Sequence, residues 1–368
     1  MSIAEETRRV SVRALKDFCV DVLTKVDVPK SEAVEIIDNL VEADLRGVES
    51  HGVVRMPIYV QRLAARATNP RPQIRIVHET PSSAVIDGDN GMGQIVSLRA
   101  MQIAIEKAKT SRVCTFVSVR NSNHFGAAAE FAKMACAHDM IGIATTIGGI
   151  NHMVPWGGAE AMLGNNPFAV AMPAGKELPF VLDMACSVAA RGKIIVAAKE
   201  GVAIPPDWAV GPDGQPTTDA VEALKGFVQP VGGPKGYALT MTIGLLSTML
   251  SGASFGREVS HMYEDLDRPQ NLGHLFGVLP IDLFEDVATY KARMDKAIGE
   301  MRDARRAPGV ERIFMPGERE ELSAIALRKD GIPLGLGVLA ELNEMGSQYG
   351  ARLDPMDELS TIALKPDR

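Results

Sequence analysis

Residues 113–138 read Val113-Cys-Thr-Phe-Val-Ser-Val119, then Arg120-Asn-Ser-Asn-His-Phe-Gly126, then AAAEFAKMACAH, ending at His138. The first run is rich in β-branched residues and predicts a short strand. The last is dominated by alanine and other strong helix formers and predicts a helix over 127–138. His124 therefore falls on a strand-to-helix turn, where a rigid scaffold presents functional groups. Its neighbours Asn121, Ser122, Asn123 and Gly126 are small or polar, so aliphatic packing does not wall in the imidazole. Such a histidine can take or give a proton near neutral pH. A second reading stands level with it, in which a helix-capping segment uses the histidine only to satisfy backbone groups.

Working outward, strands are predicted at Ile74–Val77, Ala84–Asp87, Ile141–Thr145, Phe168–Met172, Phe180–Asp183, Leu275–Ile281 and Glu311–Phe314. Helices are predicted at Gln94–Lys109, 236–250 and 285–306, with two more at the C-terminus. In the first seventy residues Val12, Leu15, Phe18, Val22 and Val26 recur at helical spacing. Ala33, Ile36, Ile37, Leu40 and Val41 do the same after a predicted Ser31 N-cap, and Asn69-Pro-Arg-Pro72 ends the pattern. Residues 201–234 read as loop, with Pro205-Pro206 and Gly232-Gly-Pro234. Strands mixed with helices, without strict alternation, indicate an α+β fold rather than a doubly wound one. At 368 residues the chain outgrows a single core, so two or three domains are expected.

A net charge of −7, with lysines and arginines scattered among acids, argues against a nucleic-acid partner. Cys19, Cys114, Cys136 and Cys186 are far apart, which fits neither a disulfide framework nor a zinc site. The N-terminal residues carry no apolar leader, so a reducing cytoplasm is the expected compartment. Gly236 to Gly256 lacks charge over a length that could span a bilayer, but its serines and threonines favour a buried core helix and no membrane role. His78, His138, His152, His261 and His274 are singletons with surface or structural roles, and no metal motif is present.

Other clusters carry chemistry. Arg46-Gly-Val-Glu-Ser-His-Gly-Val-Val-Arg55, with Tyr59 behind it, crowds hydrogen-bonding groups beside a guanidinium fork suited to a carboxylate. Gly232-Gly-Pro-Lys-Gly-Tyr237 sets Lys235 before a helix, a phosphate cradle without P-loop spacing. Asp183-Met-Ala-Cys-Ser187 ends a strand in a carboxylate that either meets a ribose or amide, or caps a helix. Gly335-Leu-Gly-Val-Leu-Ala340 imitates a dinucleotide fingerprint, but too little chain follows to complete the βαβ unit.

The segments RGVESHGVVR, NSNHFGAA, VPWGG, GNNP, DMACS, IPPDWAV, GQPTTD, GGPKGY, FGREVSHMYEDL, NLGH and MPGE, in this order, resemble the malate/L-lactate dehydrogenase family that lacks a Rossmann fold. Its members include malate, sulfolactate and ureidoglycolate dehydrogenases and some ketimine reductases. The resemblance implies a helical N-terminal domain (1–72, joined by C-terminal helices within 320–368). It also implies a nicotinamide-binding α/β region with a mixed sheet (73–319, divisible into two subdomains), in a homodimer. It implies His124 as proton carrier with Ser50 and His51 lining the active site, and Arg55, Tyr59 and Gln270 at the substrate. It places NAD or NADP on Gly149, Asp183, Met184, Ala185, Lys235, Gly317, Glu318 and Arg319. Gly148-Gly-Ile-Asn151 and Gln270 depart from the ureidoglycolate-acting members, which carry a Ser-Asp pair and an arginine there.

The expected activity is hydride transfer between a nicotinamide and a small 2-hydroxy or 2-oxo acid. Ureidoglycolate oxidation and cyclic ketimine reduction are alternatives on the same scaffold. A cofactor-free hydrolase or lyase using His124 and Asp183 is an alternative of another class.

Overall fold

Strand β1 (Ala4–Val10) leads into helices α1 (Val12–Lys25), α2 (Lys30–Leu45) and α3 (Met56–Ala64), in a computed structural model that describes residues 4–356 and 359–363 and the side chains of 6–356. Ser11 caps α1, its hydroxyl accepting from the Ala14 amide at 3.1 Å. Ser31 is not the cap of α2. Pro29, whose ring fixes φ, precedes the first turn instead, and Ser31 lies inside it. Two short 3₁₀ turns, Glu49–His51 and Val53–Arg55, join α2 to α3.

Next come β2 (Arg75–Thr80), β3 (Ser83–Asp87), α4 (Gly93–Ser111), β4 (Thr115–Ser122), α5 (Ala128–Cys136), β5 (Met140–Thr146), β6 (Phe168–Met172) and β7 (Phe180–Met184). A small lobe follows with α6 (Arg191–Glu200), β8 (Ala209–Val210), α7 (Ala220–Lys225) and β9 (Phe227–Val228). The chain continues through α8 (Pro234–Thr248), β10 (Leu272–Pro280), α9 (Val287–Arg302), α10 (Glu318–Asp330), β11 (Ile332–Gly335), α11 (Leu336–Gln348) and β12 (Leu359–Ala363).

Seven strands form a mixed sheet in the order β2-β3-β4-β10-β5-β6-β7. Its one parallel pair is β3–β4, which α4 connects as a crossover. β10 slots between β4 and β5, setting Phe276 beside both Val117 and Ala144. Its sequence LGHLFGVLP is almost wholly apolar, as burial on both faces demands. Strand alternation then sorts the faces. Ala144 joins the core under α4 and α5, while the Thr145 hydroxyl meets Ser247 of α8 at 2.8 Å on the other side.

A separate core unites α1, α2 and α3 with Ala324 of α10, Leu334 of β11 and Leu342 of α11. β1 pairs antiparallel with both β11 and β12, a three-stranded sheet that the sequence reading omits. Two other expectations are corrected. Glu311–Phe314 forms no strand; charged Glu311 and Arg312 lie exposed in irregular backbone, and the nearby Pro316 carbonyl takes a single bond from the Val181 amide. The stretch 201–234 is not all loop, since Asp219 caps α7 through bonds to the Val221 and Glu222 amides. The uncharged segment at 236–256 is a helix only to Thr248 and is not fully buried: Leu239, Leu246 and Met249 lie 40%, 44% and 56% exposed along one stripe. Among the described residues, no helix is long and apolar enough to cross a membrane.

Candidate active site

The turn after β4 is held from several sides. Asn123 Nδ2 donates to the Asn90 and Gly91 carbonyls at 3.1 and 2.9 Å, and the Asn121 amide donates to Asn271 Oδ1 at 2.8 Å. Gly93, which opens α4, is required there, because a Cβ would lie 2.1 Å from the Asn123 carbonyl oxygen. Gly126 has φ +85°, a conformation glycine adopts without strain. His124 is thus fixed in the lining of a cleft of about 450 Å³.

His124 Nδ1 lies 2.7 Å from the Tyr59 hydroxyl, which also takes a bond from Gln94 Nε2 at 3.2 Å. The free edge of the ring, Nε2, is left for the cleft. The His51 ring stacks on His124 at a centroid distance of 5.6 Å. Burial, aided by His51, Arg55 and His274, holds the His124 imidazole well below the ordinary histidine range, so the resting ring is neutral. Burial and Arg55 likewise lower His51 to about 4. Its Nδ1 shares a 2.9 Å hydrogen bond with the Ser50 hydroxyl.

Ser50, His51 and Arg55 are carried by the two 3₁₀ turns, and Asp44 of α2 organises these from below. Its carboxyl accepts from the Val53 amide at 2.9 Å, and a Cβ on Gly52 would fall 1.9 Å from Asp44 Oδ1. Burial raises the Asp44 carboxyl to about 8. Arg55 Nε donates to the Ser50 carbonyl at 2.6 Å, and its Nη1 donates to the Tyr263 hydroxyl.

The opposite wall comes from the sheet. Asp183, at the end of β7, opens to the cleft and accepts from the Ala129 amide in the first turn of α5 at 3.0 Å, where the helix dipole favours an anion. Desolvation outweighs that bond and raises its carboxyl to about 6. Ala185, Gly149 and Gly317 line the same cleft. Gly317 has φ +85°, and a Cβ there would stand 2.6 Å from the Val181 Cβ.

The cleft thus gathers Ser50, His51, Arg55, His124, Gly149, Asp183, Ala185 and Gly317 from the sequence-level candidates. The rest stand apart from its lining. Tyr59 lies behind His124. Gln270 is buried behind Gly149, donating to the Gly149 and Ser260 carbonyls at 2.8 and 3.0 Å. Glu318 lies under the Pro316-Gly317 turn, paired with Arg312 and accepting from the Met315 amide at 3.0 Å. Arg319 is exposed and stacks on Phe314 at 4.7 Å, Met184 is half-buried, and Lys235 is exposed at the start of α8. Tyr263 and Arg46 line the cleft without having been assigned from sequence; Arg46 is buried against Glu130 and Glu321 at 3.4 and 2.7 Å. Both lie in segments already singled out, but only the folded partners reveal them.

The sequence matches the profile of the malate/L-lactate dehydrogenase family over residues 10–343. The chain belongs to that family. It is 41% identical to a malate dehydrogenase of Pyrococcus horikoshii over 356 residues, covering 95% of this chain and 97% of that one. It is 34% identical to a ureidoglycolate dehydrogenase (NAD(+)) of Escherichia coli K12 over 328 residues, covering 89% and 92%. The sulfolactate dehydrogenase structure from Methanocaldococcus jannaschii superposes with a TM-score of 0.88 at 39% identity, covering 94% and 98%. As a member of the malate/L-lactate dehydrogenase family the protein is a 2-hydroxy acid dehydrogenase, which sets aside the hydrolase or lyase alternative.

Proposed function

We propose that this dehydrogenase interconverts a small 2-hydroxy acid of the malate/lactate type and its 2-oxo acid, with NAD or NADP. The observation that carries the reading is that His124 and Arg55 share one cleft with Gly149, Asp183, Ala185 and Gly317. The residues present fit a nicotinamide. The cleft volume lies within the range of cofactor sites. Glycine at 149 also keeps space open beside His124, since a Cβ there would meet Met262, Gln270 and the His124 Cβ at 3.4–3.7 Å. Gly149, Asp183, Ala185 and Gly317 would hold the nicotinamide end, and Lys235 would meet a phosphate. When bound, the nicotinamide accepts or supplies the hydride.

The chain's own groups do the rest. Arg55 fixes the substrate carboxylate and so orients C2. His124 Nε2 takes the hydroxyl proton during oxidation and returns it to the developing alkoxide during reduction. Ser50 and His51 order the ring of His124 and the substrate oxygen. Tyr59 holds Nδ1, which makes it a positioning residue. A carboxylate bound at Arg55 would offset one of the lesser charges that depress His124, burial being the larger cause.

The helical unit 1–72 with 320–368 and the sheet unit 73–319 are proposed as the two domains flanking this cleft. A homodimer is supported by the apolar stripe along and just past α8, and a reducing cytoplasm is proposed from the wide sequence spacing of the four cysteines. The test is oxidation of NADH and NADPH, followed by absorbance, against oxaloacetate, pyruvate, sulfopyruvate and cyclic imines, with ureidoglycolate in the reverse direction. Turnover of at least one linear 2-oxo acid above the others supports the reading. Activity confined to cyclic imines or ureidoglycolate overturns it.

A further inference from the structure

The segment 260–270 is a closed loop whose construction points into the cleft. At its base the Ser260 hydroxyl donates to the Pro269 carbonyl at 3.0 Å, and Gln270 Nε2 ties the Ser260 carbonyl to that of Gly149. A compact loop with joined ends and its own filling is a common carrier of function. Here the filling is a charge. Arg62 of α3, only 2% exposed, inserts its guanidinium and donates to the Met262, Asp265 and Arg268 carbonyls at 3.3, 2.9 and 2.7 Å. Burying an arginine this deeply is costly unless its donors are used; Nη1 and Nη2 spend theirs on the loop backbone, which folds around the guanidinium, while Nε is left without a partner among the described residues.

What the loop presents is Tyr263. Its hydroxyl accepts from Arg55 Nη1, and both residues line the cleft. A phenol that accepts one bond keeps its own proton to donate. Arg55 donates from Nε to the Ser50 carbonyl and from Nη1 to Tyr263. A guanidinium carries five N–H groups, so Arg55 keeps donors beyond these two bonds beside the Tyr263 O–H, and together they make a donor pair matched to the two oxygens of a carboxylate.

We propose that Tyr263 is a second substrate-binding residue, donating to the carboxylate beside Arg55, and that Arg62 is the positioning residue that presents it. This rests on the reading of Arg55 given above. The experiment measures KM and kcat for oxaloacetate and pyruvate, with NADH affinity by fluorescence as control. Tyr263→Phe should raise KM about tenfold or more, the loss expected for a hydrogen bond to a charged group, with NADH affinity kept and the loss falling on KM more than kcat. Arg62→Lys, which keeps the charge but not the fork, should raise KM in the same way. In the Tyr263→Phe background it should add little, because both act through one contact; a merely structural role would add in full. If Arg55→Gln raises KM while Tyr263→Phe leaves it unchanged, the proposal falls and the functional reading stands. If Arg55→Gln has no effect, or neither oxo acid is turned over, the functional reading falls and takes this proposal with it.

Discussion

At the scale of single residues, the proposed proton carrier is an imidazole that burial, with His51 and Arg55, holds well below the ordinary histidine range. His124→Ala removes the proposed proton carrier and alters none of the proposed cofactor residues. Turnover should fall by about 10²–10⁴-fold while NADH binding, read by fluorescence titration, stays near wild type. Near-normal turnover would remove His124 from the mechanism. The pH profile offers a second check. His124 is lowered mainly by burial and then by His51 and Arg55, so the free enzyme should hold it neutral well into the acid range. The acid limb of kcat/KM for oxidation should thus lie below the ordinary histidine value. The limb of kcat, which reports the substrate complex, should also lie below the ordinary value, because burial is the largest cause and substrate binding does not relieve it. Coincident limbs at the ordinary value would contradict this electrostatic account. The placement of His124 on a strand-to-helix turn is legible because strand, polar turn and helix are contiguous in sequence. The job of Tyr59 is not, since it reaches His124 from a helix 65 residues earlier, and no local pattern marks a hydrogen bond across that gap.

At the scale of elements, the two 3₁₀ turns that carry Ser50, His51 and Arg55 depend on one buried carboxyl. Asp44 rises from its ordinary 3.8 to about 8 through burial, despite the bond from Val53. The sign follows directly. The folded state holds this proton between pH 3.8 and about 8 while the unfolded chain has released it, so the contribution to stability is full below that window and is lost as pH rises through it. Asp44→Asn keeps an acceptor for Val53 without the ionisation. Denaturant midpoints should fall less steeply from pH 4 to 8 in the variant than in wild type, and parallel slopes would refute the assignment. Element prediction succeeded where period or composition was strong: Phe168–Met172 coincides with β6, and Gln94–Lys109 lies inside α4. It failed for β1, β11 and β12, whose pairing joins opposite ends of the chain. It also failed for α7, whose short run between prolines and glycines is set by the Asp219 cap rather than by periodicity. The insertion of β10 between β4 and β5 had no sequence signal, because register and neighbour are decided by tertiary packing.

At the scale of the whole molecule, the outstanding surface feature is α8. Its inner face packs on the central strands, with Thr240, Ser247 and Thr248 fully buried. Its outer face and the turn that follows it expose Leu239, Leu246, Met249 and Leu250, 40%, 44%, 56% and 60% accessible. Scattered apolar residues on a surface need no explanation, but a continuous stripe along one helix is a different matter. A neighbouring subunit covering it is the proposed answer, and a self-complementary contact about a two-fold axis is the simplest closed arrangement. A stable interface of this kind buries roughly 1,200–2,000 Å² in total, so α8 would form its apolar centre rather than its full extent. Charges placed at that centre lose their water without gaining a partner. The double variant Leu246→Glu with Met249→Glu should therefore sediment as a monomer where wild type sediments as a dimer, with its circular dichroism unchanged because both side chains point away from the sheet. A dimer of unaltered stability in the variant would move the interface elsewhere, and a monomeric wild type would leave the stripe to some other cover.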